Sequence, residues 1–388
     1  MTFEEQDEIV AQILASVGAI CKKYPESYWL KLDKDQSYPT EFVESMSESG
    51  YLNILIPNKY GGAGLNLFCA AKILEKIHEN GCNAAAAHAQ MYTMGAILKF
   101  GSDYQKEKWL PKIAKGDVRL QAFGVTEPDA GTDTSSIKTT ATKKGSKYII
   151  NGKKIWTSRA MHSDLMLLLA RTRPKKNATS RSDGLSLFLI DIRKAQKEGM
   201  TIRPIDTMIN HSTTEIFFDN VEIPSDDLVG RENEGFKQVL NSMNSERILI
   251  AAECIGDSKW FIKKAVNYAN NRVVFGKKIG QNQGVQFPIS RCYAETEAAR
   301  LTVYNAAKKY DGGENCGAEA NISKFLAAEA SWNAANMCLQ THGGFGFAKE
   351  YHIERKFRET RLYQVAPIST NFILSYIAEH TLGLPRSF

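Results

Sequence analysis

Three short segments hold the side chains best suited to chemistry. In FGVTEPDAGTD, Phe123 to Asp133, the hydroxyls of Thr126 and Thr132 and the bare backbone of Gly131 share one tight loop. Such a loop can approach a flat polar ring or a pyrophosphate closely, although Pro-Asp-Ala-Gly also makes an ordinary turn. In NGKKIWTSRA, Trp156 can cover an aromatic ring face and Ser158 can donate to a ring nitrogen; a plain hairpin with a packed Trp has the same look. In NSERILIAA, Glu246 falls on one helical stripe with Val239, Met243 and Ile250, at spacings of seven, three and four. A carboxylate on an apolar stripe is desolvated, which raises its proton affinity toward that of a useful base. The pattern alone is also met by a surface Glu near a helix bend, or by a buried Glu paired with an Arg.

Two further stretches, RVVFGKKIGQNQ (Arg272 to Gln283) and QTHGGFGF (Gln340 to Phe347), combine cations, amides and bare glycines. Gly343, Gly344 and Gly346 resemble a dinucleotide GxGxxG only loosely, and the strand that should precede them is missing, so a Rossmann reading fails. The histidines are scattered without zinc-like spacing, which predicts no metal site, and His342 reads as packing rather than as a catalyst.

The elements that must position these residues change character twice. Up to about Lys115 the chain reads as helices: EEQDEIVAQILASVGAICKKY, AAKILEKIHEN and MGAILKFG repeat apolar residues at three and four, with the glycine-rich IPNKYGGAGLN as a loop between them. From about Leu120 to Leu228 the pattern is β-like. TTATKKGSKYIINGKKIWTS reads as two strands turning at Asn151-Gly152, followed by the strand formers DLMLLLAR, GLSLFLIDI and TEIFFDNVEI. After Glu234 the helical period returns, interrupted only at Pro288, Pro367 and Pro385. FKQVLNSMNSERILIAAECIGDSKWFIKKAVNYANNR predicts one long helix with a bend near Gly256, and NISKFLAAEASWNAANMCLQTHGG predicts another that stops at its glycines. The expected domains are 1–118 (helical), 119–233 (β) and 234–388 (helical).

The chain has 388 residues, 43% hydrophobic and 24% charged, as in globular proteins with a large core. Its +6 formal charge is spread evenly and suits an anionic ligand better than a nucleic acid. Seven cysteines, odd in number and far apart, fit reduced thiols. The acidic N-terminus is neither a signal nor a transit peptide, and no apolar run approaches membrane-spanning length. The expected location is the cytoplasm.

Taken in order, PNKYGGAG, TEPDAGTD, NGKKIWTS, IFFDNVEIP, the Arg-x-x-Phe-Gly block and the Gln-x-x-Gly-Gly-x-Gly block strongly resemble the acyl-CoA dehydrogenase family over nearly the whole chain. The resemblance implies an α+β fold with an N-terminal helical domain, a middle β-barrel-like domain and a C-terminal four-helix bundle, assembled as a homotetramer. It implies FAD, held by Phe123, Val125, Thr126, Gly131, Thr132, Trp156, Thr157 and Ser158, with Ser158 near N5. Arg272, Phe275, Gln283, Gln340, Gly343 and Gly344 would bind the adenosine-diphosphate part, largely across a subunit interface, and Ser369 and Asn371 complete the cofactor set. Thr132 and Ser158 replace the family's commoner Ser and Thr and keep the hydroxyls.

The implied reaction is α,β-dehydrogenation of an acyl thioester: a carboxylate removes the α proton while the β carbon gives a hydride to flavin N5, and hydrogen bonds to the carbonyl stabilise the developing enolate. Many members carry the base as the Glu of a YEGT segment. Here APIS aligns with it, and Pro367 takes the place of the Glu. Members resembling isovaleryl- and long-chain acyl-CoA dehydrogenases instead place a Glu before an Arg on another helix, where this chain has Glu246-Arg247. Glu246 is therefore the expected base, with Asn244, Arg247 and Thr132 near the substrate. Proline also lacks the N–H that helps hold the substrate carbonyl; the N–H of Ile368 or the side chain of Arg159 could substitute. The expected substrate is an acyl-CoA from fatty-acid or amino-acid catabolism, and the expected acceptor an electron-transfer flavoprotein. Alternatives are an acyl-carrier-protein thioester dehydrogenase, a flavin oxidase or monooxygenase of the same fold, and a non-catalytic flavoprotein subunit.

Overall fold

The computed structural model describes residues 3–177, 180 and 183–387. The amino-terminal part is helical: α1 (Phe3–Lys23), α2 (Glu26–Asp35), α3 (Thr40–Glu48), α4 (Leu67–Glu79), α5 (Ala85–Phe100) and α6 (Asp103–Lys115). Local chemistry sets several of these boundaries. Asn66 accepts the Cys69 N–H to start α4, Ser102 and Gln105 form a reciprocal capping box at α6, and Gly116 at φ 80° ends α6. Then come β1 (Leu120–Gly124), β2 (Thr140–Lys144), β3 (Lys147–Ser158), β4 (Leu165–Arg171), β5 (Leu185–Asp191), α7 (Ile192–Lys197), β6 (Met200–Pro204), β7 (Thr213–Pro224) and β8 (Leu228–Val229). The carboxy-terminal part holds α8 (Gly235–Asn271), the hairpin β9 (Val273–Val274) and β10 (Lys277–Lys278), α9 (Gln283–Asp311), α10 (Gly317–His342), α11 (Ile353–Arg361) and α12 (Thr370–Tyr376).

These elements form two compact units. One comprises Gln36–Leu65 and Ala85–Met243. Its sheet has the order β6-β7-β3-β2-β4-β5-β8, with β1 joined in parallel to β4. The continuous apolar run of β4 is explained by burial of both its faces: Leu165, Leu167 and Leu169 pack in one core with Met94, Ile97 and Leu110, while Met166, Leu168 and Ala170 pack in a second with Tyr148, Ile150 and Phe188. The turn expected at Asn151-Gly152 lies elsewhere. β2 and β3 turn through Gly145 (φ 58°), Thr140 pairs with Asn151, and Gly152 sits within β3. Gly152 takes φ 144° at a register shift against β7, and a Cβ there would fall 2.6 Å from Thr139 Oγ1, so this glycine serves a bulge rather than a turn.

The second unit comprises Met1–Asp35, Asn66–Ala84 and Asn244–Phe388. α8 is a single 37-residue helix that runs through Gly256 without a break. Gly256 is required by a close helix crossing, because a Cβ would stand 2.3 Å from the carbonyl oxygen of Glu75 on α4. Pro288 lies inside α9 instead of interrupting it. Trp260, Phe261, Cys292, Ala334, Cys338 and Ile353 fill the core between α8, α9, α10 and α11. All seven cysteines are buried free thiols. No helix among the described residues is long and apolar enough to cross a membrane.

Candidate active site

In the sheet unit, the loop after β1 is fixed from beneath by one carboxylate. Glu127 accepts the backbone N–H groups of Lys138 (2.6 Å) and Thr139 (2.9 Å) and pairs with the ammonium of Lys154 (2.9 Å), which also donates to Val125 O (2.8 Å). Burial opposes the Glu127 charge, but Lys154 and these amides outweigh it and hold the carboxyl below its ordinary value. Burial pulls Lys154 down to about 8. With its base anchored, the loop closes through a Glu127–Ala130 backbone pair and leaves Gly131 and Thr132 exposed; Phe123, Val125 and Thr126 are half-buried.

Ile155 N–H donates to Thr126 O at 2.9 Å, which ties this loop to the end of β3. There the β3–β7 register shifts between Lys154 and Thr157, and Trp156 takes φ 62° with 56% of its surface exposed. A bulky aromatic at positive φ is strained and persists where the surroundings enforce it. Thr157 is buried with no partner for its hydroxyl among the described residues, and Ser158 is half-buried. Arg159 is buried, with Nη2 3.2 and 3.3 Å from the two ring nitrogens of His211. Burial, reinforced by the charge of Arg159, pushes the His211 imidazole well below its ordinary value.

In the helical unit, Asn244, Glu246 and Arg247 share one turn of α8. Arg247 is buried and donates from Nη1 to Asn244 Oδ1 at 2.9 Å, while its Nε has no partner among the described residues. Burial lowers the Arg247 guanidinium from its ordinary value, and the adjacent Glu246 carboxylate opposes that shift. Glu246 and Met243 are half-buried; Val239 and Ile250 are buried.

An open cleft of about 600 Å³ in the same unit is lined by Tyr268, Arg272, Gln340, Gly343, Gly344 and Phe345, among others. Arg272 lies over the Phe345 ring at 5.6 Å, and His342 packs on Tyr268 with ring centres 4.1 Å apart. A Cβ added at Gly343 or Gly344 would meet nothing within 4 Å, so the bare backbone faces open space. Phe275 and Gln283 do not line this cleft. Phe275, 99% exposed, forms with Gly276 the tip of the β9–β10 hairpin, both at positive φ, and Gln283 is exposed at the start of α9. The conformation of this tip favours Asn-Gly, so a fully exposed Phe there is held against its preference. Ser369 accepts the Phe372 N–H as the cap of α12, and Asn371 is exposed. The Ala366–Pro367 peptide is cis.

In the sheet unit, the exposed indole of Trp156 offers a plane on which a flat ring such as an isoalloxazine can lie; in the helical unit, taken by itself, the glycine-walled cleft with Arg272 and Gln340 has donors that suit a pyrophosphate. The sequence reading missed Lys154 and Glu127. The inward parity of Tyr148, Ile150 and Lys154 along β3 was the available signal for the first.

Three family models cover the chain: the acyl-CoA dehydrogenase N-terminal domain matches residues 5–117, the middle domain 122–221 and the C-terminal domain 233–382. Acyl-CoA dehydrogenase FadE12 of Mycobacterium tuberculosis is 33% identical over 392 residues, spanning 100% of this chain and 99% of that protein. The solved glutaryl-coenzyme A dehydrogenase glutaryl-CoA complex is 29% identical with a TM-score of 0.90, covering 100% of this chain and 97% of that one. PigA with FAD and proline is 25% identical with a TM-score of 0.90, covering 99% and 98%.

Proposed function

Because the chain belongs to the acyl-CoA dehydrogenase family, whose members are FAD-dependent oxidoreductases, we propose that it oxidises an acyl-CoA thioester between Cα and Cβ with Glu246 as the base. The observation that carries this reading is the Glu246–Arg247 pair on α8 in a chain whose carboxy-terminal segment has Pro367 and no carboxylate between Val365 and Thr370. Glu246 takes the α proton, with the Arg247 guanidinium next to it on α8. FAD, when bound, supplies the two-electron acceptor for the β hydrogen. Trp156 covers its ring, and Ser158 and the loop from Phe123 to Thr132 bind its polar edge. Arg272, Gln340, Gly343 and Gly344 bind the diphosphate end, with Phe275 and Gln283 contributing across a subunit interface and Ser369 and Asn371 at the start of α12. Asn244, Arg247 and Thr132 bind the thioester arm.

The exposure of Phe275, and of Phe287 (62%) and Leu301 (62%) along α9, supports assembly as a homotetramer. An electron-transfer flavoprotein is the acceptor in this reading. The deciding experiment mixes purified flavoprotein anaerobically with a panel of acyl-CoAs. At least one should bleach the flavin, and the reduced protein should be reoxidised quickly by an electron-transfer flavoprotein and slowly by air. If no acyl-CoA bleaches it, the reading fails; fast reoxidation by air would make it an oxidase.

A further inference from the structure

Lys324 lies in the interior of α10 and is fully buried. Carbonyl oxygens receive its ammonium: Nζ donates to Tyr363 O at 2.5 Å and to Ile368 O at 2.7 Å. A lysine charge taken out of water and met mainly by dipoles is costly to keep, so its place calls for a reason beyond filling space. The two carbonyls bracket residues 364–367, the segment that carries Pro367. The same segment is held at other points. Gln364 Nε2 donates to Ala328 O of α10 at 2.9 Å, the Tyr363 hydroxyl donates to Glu253 of α8 at 3.0 Å, and the N–H groups of Val365 and Ala366 both donate to Leu362 O. The N–H of Ile368, by contrast, has no acceptor among the described residues.

We propose that Lys324 is the positioning residue of this segment. By holding carbonyls on both sides of Pro367, it fixes the backbone so that the Ile368 N–H is offered to the substrate carbonyl oxygen in place of the donor that proline cannot supply. The identity of the ligand rests on the acyl-thioester reading above; the anchoring does not. Lys324 touches no substrate atom. It acts through two peptide groups, and the ammonium suits this because its charge strengthens both bonds, whereas a neutral amine still has two donors for the carbonyls but holds them without that charge assistance. The groups facing it are Cys254 and Arg247 of α8, Glu329 of its own helix and Tyr363. Burial pulls Lys324 down to about 8, Arg247 pushes the same way, and Cys254 and Glu329 oppose. The anchor should therefore weaken as pH rises through that value.

The test compares holoenzymes: wild type, Lys324→Arg and Lys324→Met. Amide hydrogen exchange over residues 362–369, corrected for intrinsic exchange at each pH, should show wild-type protection falling through pH ~8, Lys324→Arg keeping its protection, and Lys324→Met lacking it throughout. Wild-type protection that ignores pH, or a Lys324→Met protein as protected as wild type, overturns the anchoring. In anaerobic single turnovers, the wild-type bleaching rate should fall on the alkaline side, and Lys324→Arg should move that fall to higher pH. Lys324→Met should lose on the order of 10²–10³ in rate, as for a lost oxyanion donor, while acyl-CoA binding changes far less. A purely structural lysine would leave the alkaline fall where it is. If Lys324→Met does not fold, wild type and Lys324→Arg still decide both measurements. If exchange behaves as expected but no acyl-CoA bleaches wild type, the acyl-thioester reading and the donor role of Ile368 fall together and the anchoring stands.

Discussion

Lys154 and Glu127 form an ion pair at 2.9 Å with both side chains almost fully buried, and that pair joins β3 to the loop ahead of Trp156. Glu127 spends its remaining acceptor capacity on the amides of Lys138 and Thr139, while Lys154 spends another donor on Val125 O. The loop that bears Gly131 and Thr132 is therefore positioned by electrostatics inside the sheet unit.

Breaking such a pair strands a charge in the interior, which costs about 3–5 kcal/mol. Lys154→Met and Glu127→Gln should each lower unfolding free energy by about that amount in urea titrations and reduce the flavin retained on purification. The double variant should cost clearly less than the sum of the singles, because one interaction is lost twice in the sum. Strict additivity would show that the two residues act independently.

What could be read from the sequence was what repeats locally. The length of α8, the apolar run of β4 and the glycine stop of α10 each follow from a period or a terminator within a few residues. The β2–β3 turn was misplaced because Asn-Gly is the stronger hairpin signal, whereas the turn is made by Gly145 and Asn151-Gly152 is used for a bulge set by β7. Partners across long separations left no local trace, even where, as at Lys154, parity could mark a side chain as inward. Lys324 reaches carbonyls 39 and 44 residues away, and Lys154 reaches Glu127 27 residues back. Of the expected cofactor residues, Arg272, Gln340, Gly343 and Gly344 come together around one cleft, while Phe275 and Gln283 stand outside it.

Asp257, on α8, lies at the centre of a buried network. It contacts Lys356, and its Oδ1 is 2.7 Å from His78 Nδ1. Burial opposes its charge, but Lys356 and His78 outweigh it and hold the carboxyl below 3.8. A depressed folded value means that Asp257 stabilises the fold above its unfolded pKa, and that this stability is lost as pH falls through the folded one. Asp257→Asn should therefore cost about 3–5 kcal/mol near neutrality, and the gap to wild type should narrow below pH ~4. A gap independent of pH in urea titrations would mean that packing, rather than charge, is what the variant disturbs.

Gly344 separates folding from cofactor binding. A Cβ there meets no protein atom within 4 Å, and its φ is not in the left-handed region, so Gly344→Ala should leave the unfolding free energy of the apoprotein within about 0.5 kcal/mol of wild type. Gly344 lines the same cleft as Arg272 and Gln340, so the added methyl should lower FAD affinity at least about tenfold, or ~1.4 kcal/mol. Isothermal titration of the apoprotein with FAD measures this. Unchanged affinity would remove the cleft from the cofactor site.

As the proposed base, Glu246 should give variants that behave unlike those of a structural carboxylate. Removing a general base typically costs on the order of 10²–10⁴ in the step that it serves. Glu246→Gln keeps the size and hydrogen bonding of the side chain while removing the proton acceptor. Anaerobic flavin bleaching by the best acyl-CoA should slow by that factor, while the dissociation constant for the acyl-CoA stays near wild type. Glu246→Asp keeps the acceptor but withdraws it by one methylene, a displacement of about 1 Å that can cost on the order of 10². The rates should therefore rank wild type, then Asp, then Gln. Arg247 gives the counter-test. Because it is buried beside Glu246 and bonded to Asn244, Arg247→Met should weaken acyl-CoA binding and slow bleaching together. If Glu246→Gln bleaches as fast as wild type, the base lies elsewhere and the α8 assignment is wrong.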